Sequence, residues 1–146
     1  MKQQSAPKDA LHILTSYVSK IKTPSKQEAF LSALLAVGYA GLRQVECSNR
    51  EGVKFPFNGG SIRFYSDCLH SDVSNLRNNK GIALKGVPDP YQSPYGHKAS
   101  YLRYWLPNFN EAKKAVSLVN RLRKKRGEEP ISAENEWLIL HVFFGS

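Results

Sequence analysis

The sequence has little of what marks a secreted, disulfide-stabilised or membrane-spanning protein. Its 146 residues include two cysteines, Cys47 and Cys68, which do not form a Cys-x-x-Cys pair, so both are expected to be reduced thiols. No stretch approaches the ~18 apolar residues that a membrane span requires. The N-terminal residues are mostly polar and lack the apolar run of a signal peptide. These absences predict a cytoplasmic protein without a membrane segment.

Clusters of chemically reactive side chains are also scarce. None of the four histidines has a cysteine or carboxylate partner at the i,i+4 spacing, so no metal site is expected. Gly59-Gly60 lacks the Lys-Ser/Thr pair of a phosphate-binding loop. Asp67, His70 and Asp72 form the closest group, and Asp67 with His70 is interpreted as an ordinary i,i+3 contact. We therefore expect a protein that is not an enzyme and that binds no cofactor or metal.

Positive charge is what the sequence has in excess. The formal net charge is +9, the pI is about 9.7, and the excess is spread over the whole chain. Such a field attracts nucleic acid, anionic lipid or an acidic protein partner, and charge alone does not choose among them. Hydrophobic residues make up 41% of the chain, as in ordinary globular domains.

Five segments carry helical patterns of apolar residues or helix caps. Ser25 with Glu28, and Asn108 with Glu111, have the spacing of capping boxes, and Ser66 is the predicted N-cap of the third segment. The last segment is assigned to helix because acidic residues occupy its first turn. The five helical segments are residues 8 to 22, 25 to 38, 61 to 79, 108 to 126 and 132 to 144.

The remaining segments favour strands. Residues 39 to 60 are interrupted by glycine and proline, although Leu42 to Cys47 and Val53 to Phe57 are each interpreted as a short strand or part of a hairpin. Gly81 to Val87 and Ala99 to Leu106 are predicted to form a second hairpin with a long, proline-rich tip. Helices and antiparallel strands together predict an α+β fold.

The predicted helix at residues 66 to 79 has an unusual polar face. Opposite the apolar stripe stand His70, Ser71, Ser74, Arg77 and Asn78. Serine and asparagine lower helix propensity by roughly half a kcal/mol each relative to alanine, and such side chains with arginine are suited to base edges and phosphates. The competing interpretation is that the serines and asparagines only cap the helix and form turns.

The predicted hairpin behind this helix favours the nucleic-acid interpretation. It carries Lys85, His97, Lys98 and Arg103, together with four tyrosines whose hydroxyls suit a phosphate backbone. The basic run from Arg121 to Arg126 ends the fourth helix, where it either complements the helix dipole or adds salt-sensitive phosphate contacts.

The segment from Ser71 to Ile82, SDVSNLRNNKGI, followed by a strand, a turn and a tyrosine-containing strand, resembles the winged helix-turn-helix domains of phage and mobile-element proteins. The resemblance covers roughly residues 25 to 106 and implies that the polar helix enters the major groove while the wing touches the backbone. Such domains usually have a short second helix before the recognition helix, and residues 39 to 60 show no clear helix.

These observations predict a winged-helix-like domain at residues 25 to 106 with helical extensions at 1 to 24 and 107 to 146. The expected partner is double-stranded DNA, and the expected role is that of a small transcriptional or mobile-element regulator. Trp137 to Phe144 either covers the core or forms a homodimer contact. Two alternatives stay open: a protein-interaction module (an inhibitor or adaptor of an acidic partner) and a binder of single-stranded nucleic acid or RNA. The predicted DNA contacts are His70, Ser71, Ser74, Arg77, Asn78, Lys80, Lys85, Lys98 and Arg103.

Overall fold

The structure, a computed structural model, combines helices with a small antiparallel sheet. It describes residues 24–48, 53–54, 61–62, 64–92, 94–96 and 98–145, so the helix predicted over residues 8 to 22 lies outside the described residues. The elements are α1 (Lys26–Val37), a 3₁₀ turn (Gly38–Ala40), β1 (Leu42–Arg43), α2 (Gln44–Cys47), β2 (Val53–Lys54), β3 (Ser61–Ile62), α3 (Leu69–Lys80), β4 (Lys85–Pro88), β5 (Tyr91–Gln92), β6 (Lys98–Ala99), β7 (Leu102–Trp105), α4 (Phe109–Lys125) and α5 (Ala133–Phe143). The α+β class is confirmed.

Helix α1 is the central element of the core. The Ser25 side chain accepts a hydrogen bond from the Glu28 N–H at 3.2 Å, which satisfies one of the free donors of the first turn. Every residue from Glu28 to Val37 is buried, because α4 and α5 both pack on this helix. The apolar residues of this segment therefore lie in the core.

The sheet has the order β1, β7, β4, and both pairings are antiparallel. In its register, Tyr104 of the central strand lies opposite Leu42 on one side and Gly86 on the other. A Cβ at Gly86 would lie 2.9 Å from the Tyr104 ring, so the ring packs where only glycine leaves room. β2 pairs with β3, and β5 pairs with β6, as two separate two-stranded ribbons. The predicted hairpin between residues 81 and 106 is thus present, with its first strand beginning at Lys85.

The two C-terminal helices close the core. Asn108 and Ser132 are their N-caps, and each side chain accepts a hydrogen bond from the N–H three residues later. In the segment from Trp137 to Phe144, most apolar side chains are buried, whereas Trp137 is 58% exposed and stacks on His141. The buried apolar residues from Ala29 to Phe144 form one cluster, so α4 and α5 share the core of the preceding segment.

Two local predictions are wrong. The strand expected over Leu42 to Cys47 ends at Arg43, and the single-turn helix α2 follows it. Ser61 and Ile62, assigned to the third helix by periodicity, form β3 instead, because pairing with β2 supplies backbone hydrogen bonds that a local pattern does not reveal. In the part of the chain that the structure describes, no helix is both long and apolar enough to cross a bilayer.

Candidate nucleic-acid interface

The start of helix α3 is held by one side chain from the short helix α2. The Gln44 amide accepts a hydrogen bond from the Leu69 N–H and donates one to the Ser66 carbonyl at 2.7 Å. A free N–H of the first turn of α3 is thereby satisfied from a distant element. α2 thus positions α3, although the β2–β3 ribbon lies between the two helices in the chain.

Ser66 is not the N-cap of this helix, which is a correction to the prediction. Helix α3 begins at Leu69 after Cys68, and the buried Ser66 hydroxyl donates to the Asp72 carboxylate instead. Lys26 also pairs with Asp72 at 3.3 Å. Asp72 is the one acidic residue within α3. Its charge is compensated by Lys26, on the side of the helix that faces α1.

The solvent side of α3 is neutral and rich in short polar groups. Leu69, Val73 and Leu76 are buried against the core. Ser71 and Asn78 are exposed on the opposite side and Ser74 is half-buried there. Asn75 is exposed on the same side. This face therefore presents hydroxyl and amide groups with no acidic residue among them.

Two of the predicted contact residues lie on the flank of α3 that faces the sheet. His70 Nδ1 is hydrogen-bonded to the Tyr104 hydroxyl at 3.0 Å. Arg77 donates from Nη2 to the Leu84 carbonyl at 2.7 Å, and its guanidinium lies 5.9 Å from the Tyr104 ring centroid. These contacts fix the orientation of α3 on the sheet. Because one nitrogen of Arg77 is used in this way, part of its hydrogen-bonding capacity remains directed to solvent.

Helix α3 extends one residue beyond the predicted end and stops at Gly81, which adopts the left-handed conformation with φ 67° and ψ 24°. The Ile82 N–H donates to the Leu76 carbonyl at 3.2 Å and closes the last turn. Lys80 is the last helical residue and is exposed. The chain then passes directly into the hairpin.

The hairpin presents exposed groups beside α3. Lys85 and Val87 of β4 are exposed, and Tyr95, in the turn between β5 and β6, is 88% exposed. The backbone of Lys98 belongs to β6. The side chain of Lys98 and all of His97 lie outside the described residues.

Arg103 has a role that the sequence did not reveal. Its guanidinium donates to Glu46 at 2.7 Å and to Asp89 at 2.6 Å, and also to the Ala40 and Gly41 carbonyls. All three guanidinium nitrogens of Arg103, which was predicted to contact phosphate, are thus engaged within the fold. Arg43 joins the network by pairing with Asp89 at 3.1 Å.

Hydrogen bonds within this network shift the pKa values of Asp89 and Arg103. The hydrogen bond from Arg103 is the main cause of the lowered pKa of Asp89. The hydrogen bond to Glu46 is the largest cause of the raised pKa of Arg103. Both shifts stabilise the charged forms of Asp89 and Arg103.

The pKa values of the two thiols are shifted in opposite directions. Burial raises the pKa of Cys47 to about 12, with smaller contributions from Glu46 and Asp72. The pKa of Cys68 is lowered, mainly by its contact with the Ser71 hydroxyl, 3.2 Å from Sγ. Cys68 is exposed and immediately precedes α3, so the reactivity of its thiol can be used to probe the start of this helix.

The expected contact between Asp67 and His70 is absent. The Asp67 carboxylate accepts a hydrogen bond from the Tyr65 hydroxyl at 2.6 Å, and His70 contacts Tyr104 instead. Among the described residues, no three histidine, cysteine or carboxylate side chains are grouped so that they could hold a metal ion.

The basic run at the end of α4 is divided between structural and exposed positions. Arg123 is buried and donates to the Glu129 carbonyl at 2.6 Å. Arg126 pairs with the buried Glu28 through two hydrogen bonds of 2.8 and 2.6 Å. Arg121, Lys124 and Lys125 are exposed and are free to meet a ligand.

Comparison with protein-family models, with curated proteins and with solved structures finds no match to this chain. Sequence reasoning missed Gln44, Arg43, Glu46 and Asp89. The one local signal was the i,i+3 spacing of Arg43 and Glu46. Their other partners, Asp89 for Arg43 and Arg103 for Glu46, lie far along the chain.

Proposed function

We propose that this protein is a sequence-selective binder of double-stranded DNA, with α3 in the major groove and the β4–β7 hairpin on the adjacent backbone. The observation that carries the proposal is the solvent face of α3, where Ser71, Ser74, Asn75 and Asn78 stand together, while the one acid of this helix, Asp72, is bound by Ser66 and Lys26. Serine hydroxyls bond to several base edges, and asparagine pairs bidentately with adenine.

The order of the elements supports a winged-helix-like arrangement. α1 is followed by the short helix α2, the polar helix α3 and an antiparallel hairpin. The resemblance calls for a short second helix, and we assign that role to α2, which Gln44 connects to α3. The insertion of the β2–β3 ribbon between α2 and α3 departs from the resemblance.

The proposed contacts differ from those predicted from sequence. Ser71, Ser74 and Asn78, with Asn75 added, address base edges, whereas Lys80, Lys85 and Lys98 address phosphates. His70 and Arg77 act mainly as positioning residues, since both are bound to the sheet. Arg103 leaves the set of contacts.

We further propose that the protein acts in the cytoplasm as a transcriptional or mobile-element regulator, without catalysis and without a cofactor. The exposed Trp137, stacked on His141, is the feature of the C-terminal segment that a two-fold dimer contact would use. A dimer would make the preferred DNA site a pseudo-palindrome with half-sites about one helical turn apart.

The test is selection of bound duplexes from a random pool, followed by affinity measurements over a range of salt concentrations. We expect enrichment of one sequence and a steep loss of affinity with salt. The triple variant S71A/S74A/N78A serves as the comparison, because it alters the α3 face without changing charge; it should bind duplex with little preference. Tighter binding to single strands, or capture of an acidic protein with no duplex binding, would contradict the proposal.

A further inference from the structure

A second basic surface begins where helix α3 ends. Asn79 and Lys80 form one wall of a groove of about 340 Å³, and the exposed side of α4 forms the other. The buried side chains of Ile82 and Leu118 form its floor. The α4 wall consists of Lys114, Ser117 and Arg121, which lie on one face of that helix at spacings of three and four.

The groove carries positive charge that the fold does not neutralise. Among the residues that the structure describes, Lys80 and Arg121 form no ion pair. Lys114 is held by the Glu111 carboxylate at 3.0 Å and by the Gly81 carbonyl at 3.2 Å. The second oxygen of Glu111 lies 3.3 Å from the same ammonium group, so all three donors of Lys114 are engaged within the fold. Lys80 and Arg121 are therefore the cations of this groove that are available to a ligand.

The walls of this groove are fixed relative to one another. Glu111 of α4 accepts a hydrogen bond from the Ala83 N–H at 2.9 Å, just beyond the end of α3. Together with the bond from Lys114 to Gly81, this contact joins α4 to the turn between α3 and β4. The distance between Lys80 and the α4 cations is therefore set by the fold before a ligand arrives.

We infer that this groove binds the phosphate backbone of DNA that flanks the major-groove site. The inference rests on the proposed function of α3. A helix of 12 residues is about 18 Å long, and the major groove is ~12 Å wide. A helix that enters the groove by its first turns therefore leaves Asn79 and Lys80 at the edge, where the phosphates of one strand run.

Helix α4 extends this contact beyond the groove. Lys125 is exposed and lies one turn after Arg121 on the same stripe. From Lys114 to Lys125 the stripe is roughly 16 Å long, and one strand of B-DNA carries a charge about every 3.4 Å of axis. The stripe is long enough to follow several consecutive phosphates.

The chemistry favours a nucleic acid over an acidic protein. Protein interfaces depend on exposed aromatic or aliphatic anchors, and the apolar residues of this groove, Ile82 and Leu118, are buried in its floor. The walls offer ammonium, guanidinium, hydroxyl and amide donors, which are the groups that contact phosphate oxygens. The groove is also continuous with α3 through Lys80.

The inference is tested with the full chain and the Arg121→Gln variant on two duplexes, the selected site and an unrelated sequence. We expect Arg121→Gln to weaken both alike, by roughly fivefold at 0.15 M salt, and to reduce the slope of log affinity against log salt by about 0.9. Lys113→Gln is the matched control, because Lys113 is exposed on the same helix but does not line the groove. It should leave affinity and slope unchanged.

Phosphate ethylation interference on the selected site provides a second readout. The native chain should require phosphates outside the segment contacted by α3, and Arg121→Gln should lose that requirement. An unchanged slope for Arg121→Gln, or an equal change for Lys113→Gln, would overturn the inference while leaving duplex recognition by α3 intact. Loss of retention on polyglutamate without loss of duplex affinity would assign the groove to an acidic protein. A native chain that binds no duplex would contradict both proposals.

Discussion

The hydroxyl of Tyr104 in β7 and Nδ1 of His70 in α3, 34 residues apart in the chain, are hydrogen-bonded at 3.0 Å. Tyr104 is otherwise buried, and its ring packs on Gly86 of β4 and faces the Arg77 guanidinium. This one side chain therefore connects the polar helix to both strands of the hairpin base. The orientation of α3 depends on it.

Replacing Tyr104 by phenylalanine should reduce both stability and DNA affinity. The lost hydrogen bond should lower the free energy of unfolding by about 1 kcal/mol, as measured by urea denaturation. Affinity for the selected duplex should fall, because α3 is less firmly oriented, while the salt dependence stays unchanged because no charge is removed. Tyr101→Phe, in the residue before β7, is the control. Reduced stability with native affinity would show that this contact does not position α3.

Asn78 and Lys85 should have different effects on recognition. Asn78→Ala should relax the preference at one base position by about 1–3 kcal/mol, because it removes an amide from the solvent face of α3. Lys85→Ala should weaken all duplexes alike, since Lys85 is an exposed cation of β4. The two variants are compared on a panel of single-base changes in the selected site. Parallel profiles for the two would refute this division of roles.

Cys68 should react with a thiol reagent in the native state while Cys47 remains protected. The lowered pKa and the exposure of Cys68 favour the reactive thiolate, whereas burial raises the pKa of Cys47 to about 12. Ser71→Ala should slow the reaction at neutral pH, because it removes the main cause of the lowered pKa. The rates are followed by mass spectrometry.

A bound duplex should protect Cys68, because this residue directly precedes α3. A C47A variant isolates the signal of Cys68. Labelling of Cys68 at the same rate with and without saturating duplex would argue against a DNA site at the start of α3.

Stability should decline in acid partly through Asp89. The pKa of Asp89 is lowered by the hydrogen bond from Arg103, so the carboxylate contributes stability at pH values above its unfolded pKa of about 3.9. That contribution is lost as the pH falls through the lower folded pKa. Asp89→Asn should therefore be less stable than the native chain near pH 7, and the difference should shrink near pH 3. A difference independent of pH would exclude this origin.

The contact between Glu28 and Arg126 should be among the most sensitive in the core. Glu28 is 1% exposed, and the hydrogen bond to Glu28 is the main cause of the raised pKa of Arg126. Arg126→Met should lower the free energy of unfolding by about 3 kcal/mol, since it leaves a buried charge without a partner. Adding Glu28→Gln should recover part of the loss, because the buried group is then neutral. Lys125→Met is the matched control and should cost little.

Features encoded locally were predictable from the sequence. Ser25, Asn108 and Ser132 are N-caps because each side chain reaches the N–H three residues later, a relationship that is visible in a four-residue window. Gly81 likewise ends α3 where its freedom to adopt positive φ is needed. These signals, with apolar periodicity, were enough for α1, α4, α5 and the hairpin.

Features that depend on distant partners were not predictable. Ser66 is of a residue type that often caps helices, but the Leu69 N–H donates to Gln44 instead. The Ser66 hydroxyl donates to Asp72. Arg103 has a guanidinium group of the kind that contacts phosphates, but this group donates to Glu46, 57 residues away. In both cases the partner lies far along the chain or outside the predicted geometry, so the local sequence does not reveal it.

The ion-pair network of Arg43, Arg103, Glu46 and Asp89 has a consequence for how the molecule would approach a polyanion. Its two cations and two anions cancel, so the base of the hairpin adds nothing to the chain's far field. Lys80, Lys85 and Arg121 form no ion pair among the described residues, so their charges remain available to attract a polyanion. Attraction of this kind raises the rate of encounter most at low ionic strength, and the association rate should therefore respond to these three cations more than to the four charges of the network.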